Sequence, residues 1–106
     1  MDIESVQVAK GRYALRRRRD GRGDSGNLLR CFRLKEDESE IEELESGMLQ
    51  VGYVVRCGNF FPSSHGSDRW QTTPITRFLF VEKDEEGLAT QVTFKTGNSE
   101  YKLTVF

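Results

Sequence analysis

A register-fixing hairpin near the C-terminal end, a three-stranded meander around it and a strictly alternating apolar stretch before it predict a mainly β chain. The expected form is a small antiparallel barrel or curved sheet of about six strands with one short helix. The length of 106 residues suits one domain. It divides into basic N-terminal strands over about 5–34, an acidic linker or short helix over about 36–46, and a β core over about 48–106.

In chain order, residues 5–17 and 28–34 read as strands. The intervening Asp20-Gly21-Arg22-Gly23-Asp24-Ser25-Gly26 reads as a mobile polar loop. Ser39 followed by Glu42 has the spacing of a capping box and predicts a helix of one or two turns over 39–46. More turns are disfavoured, because seven acidic residues in one block repel one another. From 48 to 57, Leu49, Val51, Tyr53, Val55 and Cys57 alternate onto one face, with Gly52 as a bulge or close-packing point. Val51, Tyr53 and Val55 are therefore expected to be buried against Phe94 or Leu103.

Residues 58–71 hold Pro62, Ser63, Ser64, Gly66 and Ser67 and predict a long exposed loop. A strand over 75–82 follows, then the polar connection Lys83-Asp84-Glu85-Glu86-Gly87 and a strand over 88–96. Both faces of Phe78-Leu79-Phe80-Val81 are apolar, which predicts packing on two sides. Gly97-Asn98 supplies residues tolerant of positive φ for a two-residue turn. That turn sets Lys95 opposite Glu100 as an ion pair, Phe94 opposite Tyr101 and Val92 opposite Leu103.

Charge is the chain's strongest functional signal. Nine basic residues (Lys10, Arg12, Arg16, Arg17, Arg18, Arg19, Arg22, Arg30, Arg33) stand against Asp20 and Asp24, and seven acidic residues from Glu36 to Glu45 follow with no basic one. The net charge of −1 hides this dipole. An uncompensated basic run attracts phosphates or carboxylates, so the pattern speaks to partners rather than fold. With Tyr13 and Leu15 inward, Arg12, Arg16 and Arg18 share an outer face where guanidinium forks can grip phosphate. Arg17, Arg19 and Arg22 complete the basic surface, and Phe60, Phe61 and Trp70 are candidates for stacking on bases. The competing readings are an acidic protein partner, a solvated strand edge, and neutralisation in cis by the acidic block. If the acidic block occupies the Arg16–Arg19 arginines in cis, several Arg–Glu contacts between 12–33 and 36–45 are expected; that outcome would sink the polyanion reading and make the loop over 58–71 the better contact surface.

Other chemistries are weaker. Cys31, Cys57 and His65 lack the close ligand pair of a structural zinc site, so no metal is expected. Cys57 and His65, with Asp68 to orient the imidazole, form the only nucleophile and base to consider, and no activating motif surrounds them. Two separated cysteines read as reduced core thiols of a cytoplasmic protein. No glycine-rich cradle precedes a helix, no cofactor is implied, and no apolar run is long enough for a membrane span. Arg22-Gly23-Asp24 matches an integrin-binding tripeptide but reads as a turn. An unpaired strand at either end of the sheet offers a route to a homodimer.

Asp68-Arg69-Trp70-Gln71-Thr72-Thr73-Pro74-Ile75 and, after a strand, Phe94-Lys95-Thr96-Gly97-Asn98-Ser99-Glu100-Tyr101 read as a binding edge or a β-corner. The pair of motifs resembles small uncharacterised bacterial and phage β-rich proteins with a Trp-x-Thr-Thr/Ser motif and a C-terminal Thr-x-Asn-Ser-x-Tyr hairpin. The resemblance spans about residues 48–106 and implies a β-rich fold without a function. The residues themselves favour a non-enzymatic binding module whose Arg-rich surface engages a polyanion such as nucleic acid, or an acidic protein face. The alternatives are a phage or mobile-element regulator that occludes a host protein, and a small enzyme using Cys57 and His65.

Overall fold

The computed structural model describes residues 3–37, 39–58 and 69–106. Its strands are β1 (Ser5–Gln7), β2 (Tyr13–Arg17), β3 (Gly23–Gly26), β4 (Leu28–Leu34), β5 (Glu40–Glu43), β6 (Met48–Gln50), β7 (Val54–Gly58), β8 (Arg69–Gln71), β9 (Ile75–Lys83), β10 (Ala89–Thr96) and β11 (Glu100–Val105). They form a five-stranded sheet ordered β3-β2-β11-β10-β9, a four-stranded sheet ordered β5-β4-β7-β8 and a β1-β6 ribbon, all antiparallel. The expected β class holds. The strands are more numerous and shorter than the expected six, and they group into three sheets rather than one closed barrel.

Alternation along each strand sends one set of side chains inward. Leu15, Val92, Phe94 and Leu103 from the five-stranded sheet meet Cys31, Val55 and Cys57 from the four-stranded sheet and Val6 and Leu49 from the ribbon in a single buried cluster. The C-terminal meander is as expected, with Lys95 opposite Glu100, Phe94 opposite Tyr101 and Val92 opposite Leu103. Phe94 and Tyr101 stack with ring centroids 5.7 Å apart. The turn is closed differently from its prediction. Gly97 does not occupy positive φ; instead the Thr96 hydroxyl accepts from the Ser99 N–H at 3.2 Å, and Thr96 N–H donates to the Ser99 carbonyl at 2.8 Å. In the preceding hairpin, Gly87 does adopt φ +84°, and the Asp84 carboxylate accepts from the N–H groups of Glu86 and Leu88.

Several expectations are corrected. No described residue is helical, and the segment expected to be a helix carries β5. The Asp37 carboxylate takes the Ser39 N–H and hydroxyl at 3.0 and 2.6 Å, turning the chain back so that β5 pairs with the arginine-bearing β4. Carboxylates that would repel along a helix thereby gain guanidinium partners. The predicted strand over 5–17 is two strands in different sheets, and the one over 48–57 breaks at a turn where Gly52 has φ +92°. Tyr53 and Val55 are buried in one cluster with Phe94 and Leu103, whereas Val51 sits half-buried in that turn. The expected mobile loop contains β3, paired along β2, so the Arg22-Gly23-Asp24 tripeptide runs into a strand rather than a turn. Finally, β9 is a sheet edge, not a strand packed on two sides. A bulge at Leu79, between the Thr93–Phe80 and Phe94–Phe78 pairs, leaves Leu79 41% and Phe80 51% exposed.

Candidate functional site

Strand pairing sorts the basic run by parity. Tyr13 and Leu15 are buried, so Arg16 projects from the outer face of the five-stranded sheet, with Lys102 directly across on β11. The ladder continues beyond both ends of β2: Arg18 N–H donates to the Glu100 carbonyl, and Arg12 and Phe106 exchange two backbone hydrogen bonds. Arg12, Arg16 and Arg18 thus share the outer face, as expected, and all three are exposed. On β10 and β9 the same rows bring Thr93 and Phe80 alongside Lys102, Lys95 and Arg77 alongside Glu100, and Gln91 and Glu82 alongside Thr104. Six cations (Arg12, Arg16, Arg18, Arg77, Lys95, Lys102) therefore share this face with two carboxylates, Glu82 and Glu100.

Pairing within the face is sparse. Glu100 holds Arg18 at 3.2 Å, and so the ion pair expected between Glu100 and Lys95 goes to Arg18 on the other neighbouring strand. Among the described residues no carboxylate lies within ion-pair distance of Arg12, Arg16, Arg77, Lys95 or Lys102; the Arg16 guanidinium donates only to its neighbour's carbonyl on Leu15, at 3.2 Å. Two like-charged cross-strand pairs, Arg16 with Lys102 and Arg77 with Lys95, are left without a bridging anion, an arrangement that costs stability. Large apolar exposure lies on the same face. Phe106 is 77% exposed, and Phe80 and Leu79 line an open groove of about 570 Å³ with Arg18, Lys102 and Glu100.

Arg17, Arg22 and Trp70 are drawn together on the opposite side. The Arg17 guanidinium donates to both oxygens of Asp20 at 3.0 and 2.6 Å and lies 5.2 Å from the Trp70 ring centre; that of Arg22 lies 5.6 Å from it. Asp20 also accepts from the Arg22 N–H, and chiefly through Arg17 its carboxyl is held down at about 2. Trp70, a candidate for stacking on bases, is half-buried against the core, with its indole N–H donating to the Tyr101 hydroxyl at 3.2 Å. These side chains occupy one another and fasten β2 and the β2–β3 turn to β8. Arg19 stays exposed at that turn, 4.0 Å from Asp20. Two residues on, Thr72 accepts from the Val55 N–H and donates to the Thr73 carbonyl, so the Trp70-Gln71-Thr72-Thr73 segment forms a β-corner.

The acidic block is engaged in cis, but by other arginines. Arg30 contacts Glu40 at 2.7 Å and also Glu43, and Arg33 contacts Glu42 at 2.7 Å. Arg56 stands directly across from Arg30 on β7, and Glu40 bridges the two, reaching Arg56 at 3.2 Å. Beneath them Phe32 is fully buried, with the Arg30 and Arg56 guanidiniums 4.9 and 4.8 Å from its ring centre. The contacts expected of internal neutralisation thus exist at Arg30 and Arg33, while none reaches the Arg12–Arg22 group among the described residues.

Phe60, Phe61, His65 and Asp68 lie outside the described residues. Cys31 and Cys57 are buried free thiols, each pushed up to about 11 by burial, away from a reactive thiolate. Among the described residues there is no cluster of metal ligands and no helix long and apolar enough to cross a membrane. The sequence reading missed Lys102, Arg77, Lys95, Phe80 and Phe106 as surface companions of Arg16. The hairpin register already placed Lys102 on the face opposite Tyr101 and Leu103; the pairing of β11 with β2, which brings it to Arg16, has no local signal. Comparison with protein-family models, curated proteins and solved structures gives no match.

Proposed function

We propose that the protein is a non-enzymatic binding module that engages a polyanion through the outer face of its five-stranded sheet. The observation that carries this reading is the unbridged Arg16–Lys102 pair on an exposed, cation-rich surface. Like charges held side by side raise the free energy of the unliganded sheet, and a phosphate seated between them relieves it with charge-assisted hydrogen bonds. The high pKa and burial of Cys57 support a role without thiol chemistry, and the reading requires no cofactor. An acidic protein face would meet the same cations, and titration with polyanions of different chemistry separates the two.

The test is the salt dependence of affinity for nucleic acid or polyphosphate. If Arg12, Arg16, Arg18 and Lys102 each contact a phosphate, log K should fall with log salt at a slope of about −3 for a single strand. Removing one of them lowers the magnitude of the slope by roughly one. Absence of any salt-dependent association with a polyanion overturns the proposal.

A further inference from the structure

We infer that the ligand of this face is single-stranded nucleic acid, with a base stacked on Phe80 and phosphates held by Arg16 and Lys102. The inference rests on the polyanion reading and goes further by assigning work to the exposed rings. A polymer of charge alone, such as polyphosphate, has no use for Phe80 at 51% exposure on a face where cations outnumber carboxylates six to two. Unpaired bases do: a sheet that places aromatic rings among Arg and Lys stacks bases on the rings and tracks the backbone with the charges.

The geometry fits a strand of several nucleotides. Lys102 stands at a corner of the arrangement, in the same cross-strand row as Phe80 and on β11, one residue past whose end Phe106 lies. From strand spacing and rise, Phe80 and Phe106 lie roughly 15–20 Å apart. Arg16 on β2 and Arg12 just before it border that path, Gln91 and Thr104 offer hydrogen-bonding side chains inside it, and Glu82 and Glu100 stand at its margins. The Leu79 bulge is what makes Phe80 available, because it interrupts the alternation of β9 and turns the ring onto the outer face instead of the core. A duplex keeps its bases paired and stacked on one another, which leaves no base face free to lie on Phe80, so the unstacked form is the one that this surface can read.

The experiment measures anisotropy of a labelled oligothymidylate of about 12 nucleotides, within the site size of a small β domain. Competitors are inorganic polyphosphate, an oligo-glutamate and a duplex of the same length. The inference expects the single strand to bind tightest. It expects Phe80→Ala to weaken it by about 5- to 150-fold while leaving polyphosphate binding unchanged. Phe80→Tyr should restore affinity. Phe80→Leu, which keeps apolar bulk and protects against a mere folding defect, should not. If polyphosphate competes as well as the single strand and Phe80→Ala changes neither, the inference fails while the polyanion reading stands. Equal or tighter binding of oligo-glutamate overturns it in favour of an acidic protein, and tighter duplex binding overturns it in favour of double-stranded nucleic acid. If no polyanion binds, both readings fall.

Discussion

The chain places two cations directly across from one another on neighbouring strands at Arg30–Arg56, Arg16–Lys102 and Arg77–Lys95, and it treats the first two pairs in opposite ways. Arg30 and Arg56, on the four-stranded sheet, are bridged by Glu40 and roof the buried ring of Phe32. Arg16 and Lys102, on the five-stranded sheet, face solvent with no anion of the described residues between them, in the same row as an exposed Phe80. The same pair of elements, two cations and a phenyl ring, thus builds a closed, self-satisfied surface in one place and an open one in the other. The first arrangement is what a sheet adopts for stability; the second makes sense when the missing anion comes from outside.

This contrast is broken most forcefully at the two phenyl rings. Phe32→Ala should destabilise the fold by about 3–5 kcal/mol through lost burial and a cavity, whereas Phe80→Ala should stay within about 0.5 kcal/mol of the parent. Urea unfolding of both variants checks the pair. Comparable losses at the two positions would show that Phe80 is structural.

Removing the bridge comes next. Glu40→Gln leaves Arg56 hydrogen-bonded to the Gln71 amide and sets two guanidiniums side by side on the roof of Phe32. Glu40 and both arginines keep part of their solvent contact, so the expected loss is about 1–2 kcal/mol rather than that of a fully buried pair. Acid should act in the same direction. The Arg30 hydrogen bond holds the Glu40 carboxyl below its ordinary value of 4.5. A depressed carboxylate stabilises the fold fully above its unfolded pKa, and that contribution fades as pH falls through the lower folded value. Thermal midpoints followed below pH 4.5 should therefore drop more steeply in the parent than in Glu40→Gln, which has no proton to gain at that position.

The local half of this architecture was legible in the sequence and the tertiary half was not. The register from Val92 to Leu103 followed from a turn and an alternation, and the outward parity of Arg12, Arg16 and Arg18 followed from Tyr13 and Leu15. Nothing local told which strand would lie beside β2, and so Lys102 was not seen as a companion of Arg16. The β5 segment read as a helix because Ser39 and Glu42 obey a helical spacing; the arginines of β4, distant in sequence, decided otherwise. Phe80 read as core because a bulge is invisible in an apolar run. Trp70 read as a stacking surface because its partners Arg17, Arg22 and Tyr101 come from elsewhere in the chain.

A small effect on stability is also expected of the variant that tests the central claim most directly. Lys102→Glu places an anion opposite Arg16 and converts the open pair into an internally satisfied one like that around Glu40. Measured together, thermal midpoint and polyanion affinity should diverge. The fold should be unchanged or stabilised by up to about 1 kcal/mol, while affinity for single-stranded nucleic acid falls at least tenfold and the salt slope shrinks by one or more. A fold destabilised as in Glu40→Gln, or an affinity that survives the reversal, would contradict the account.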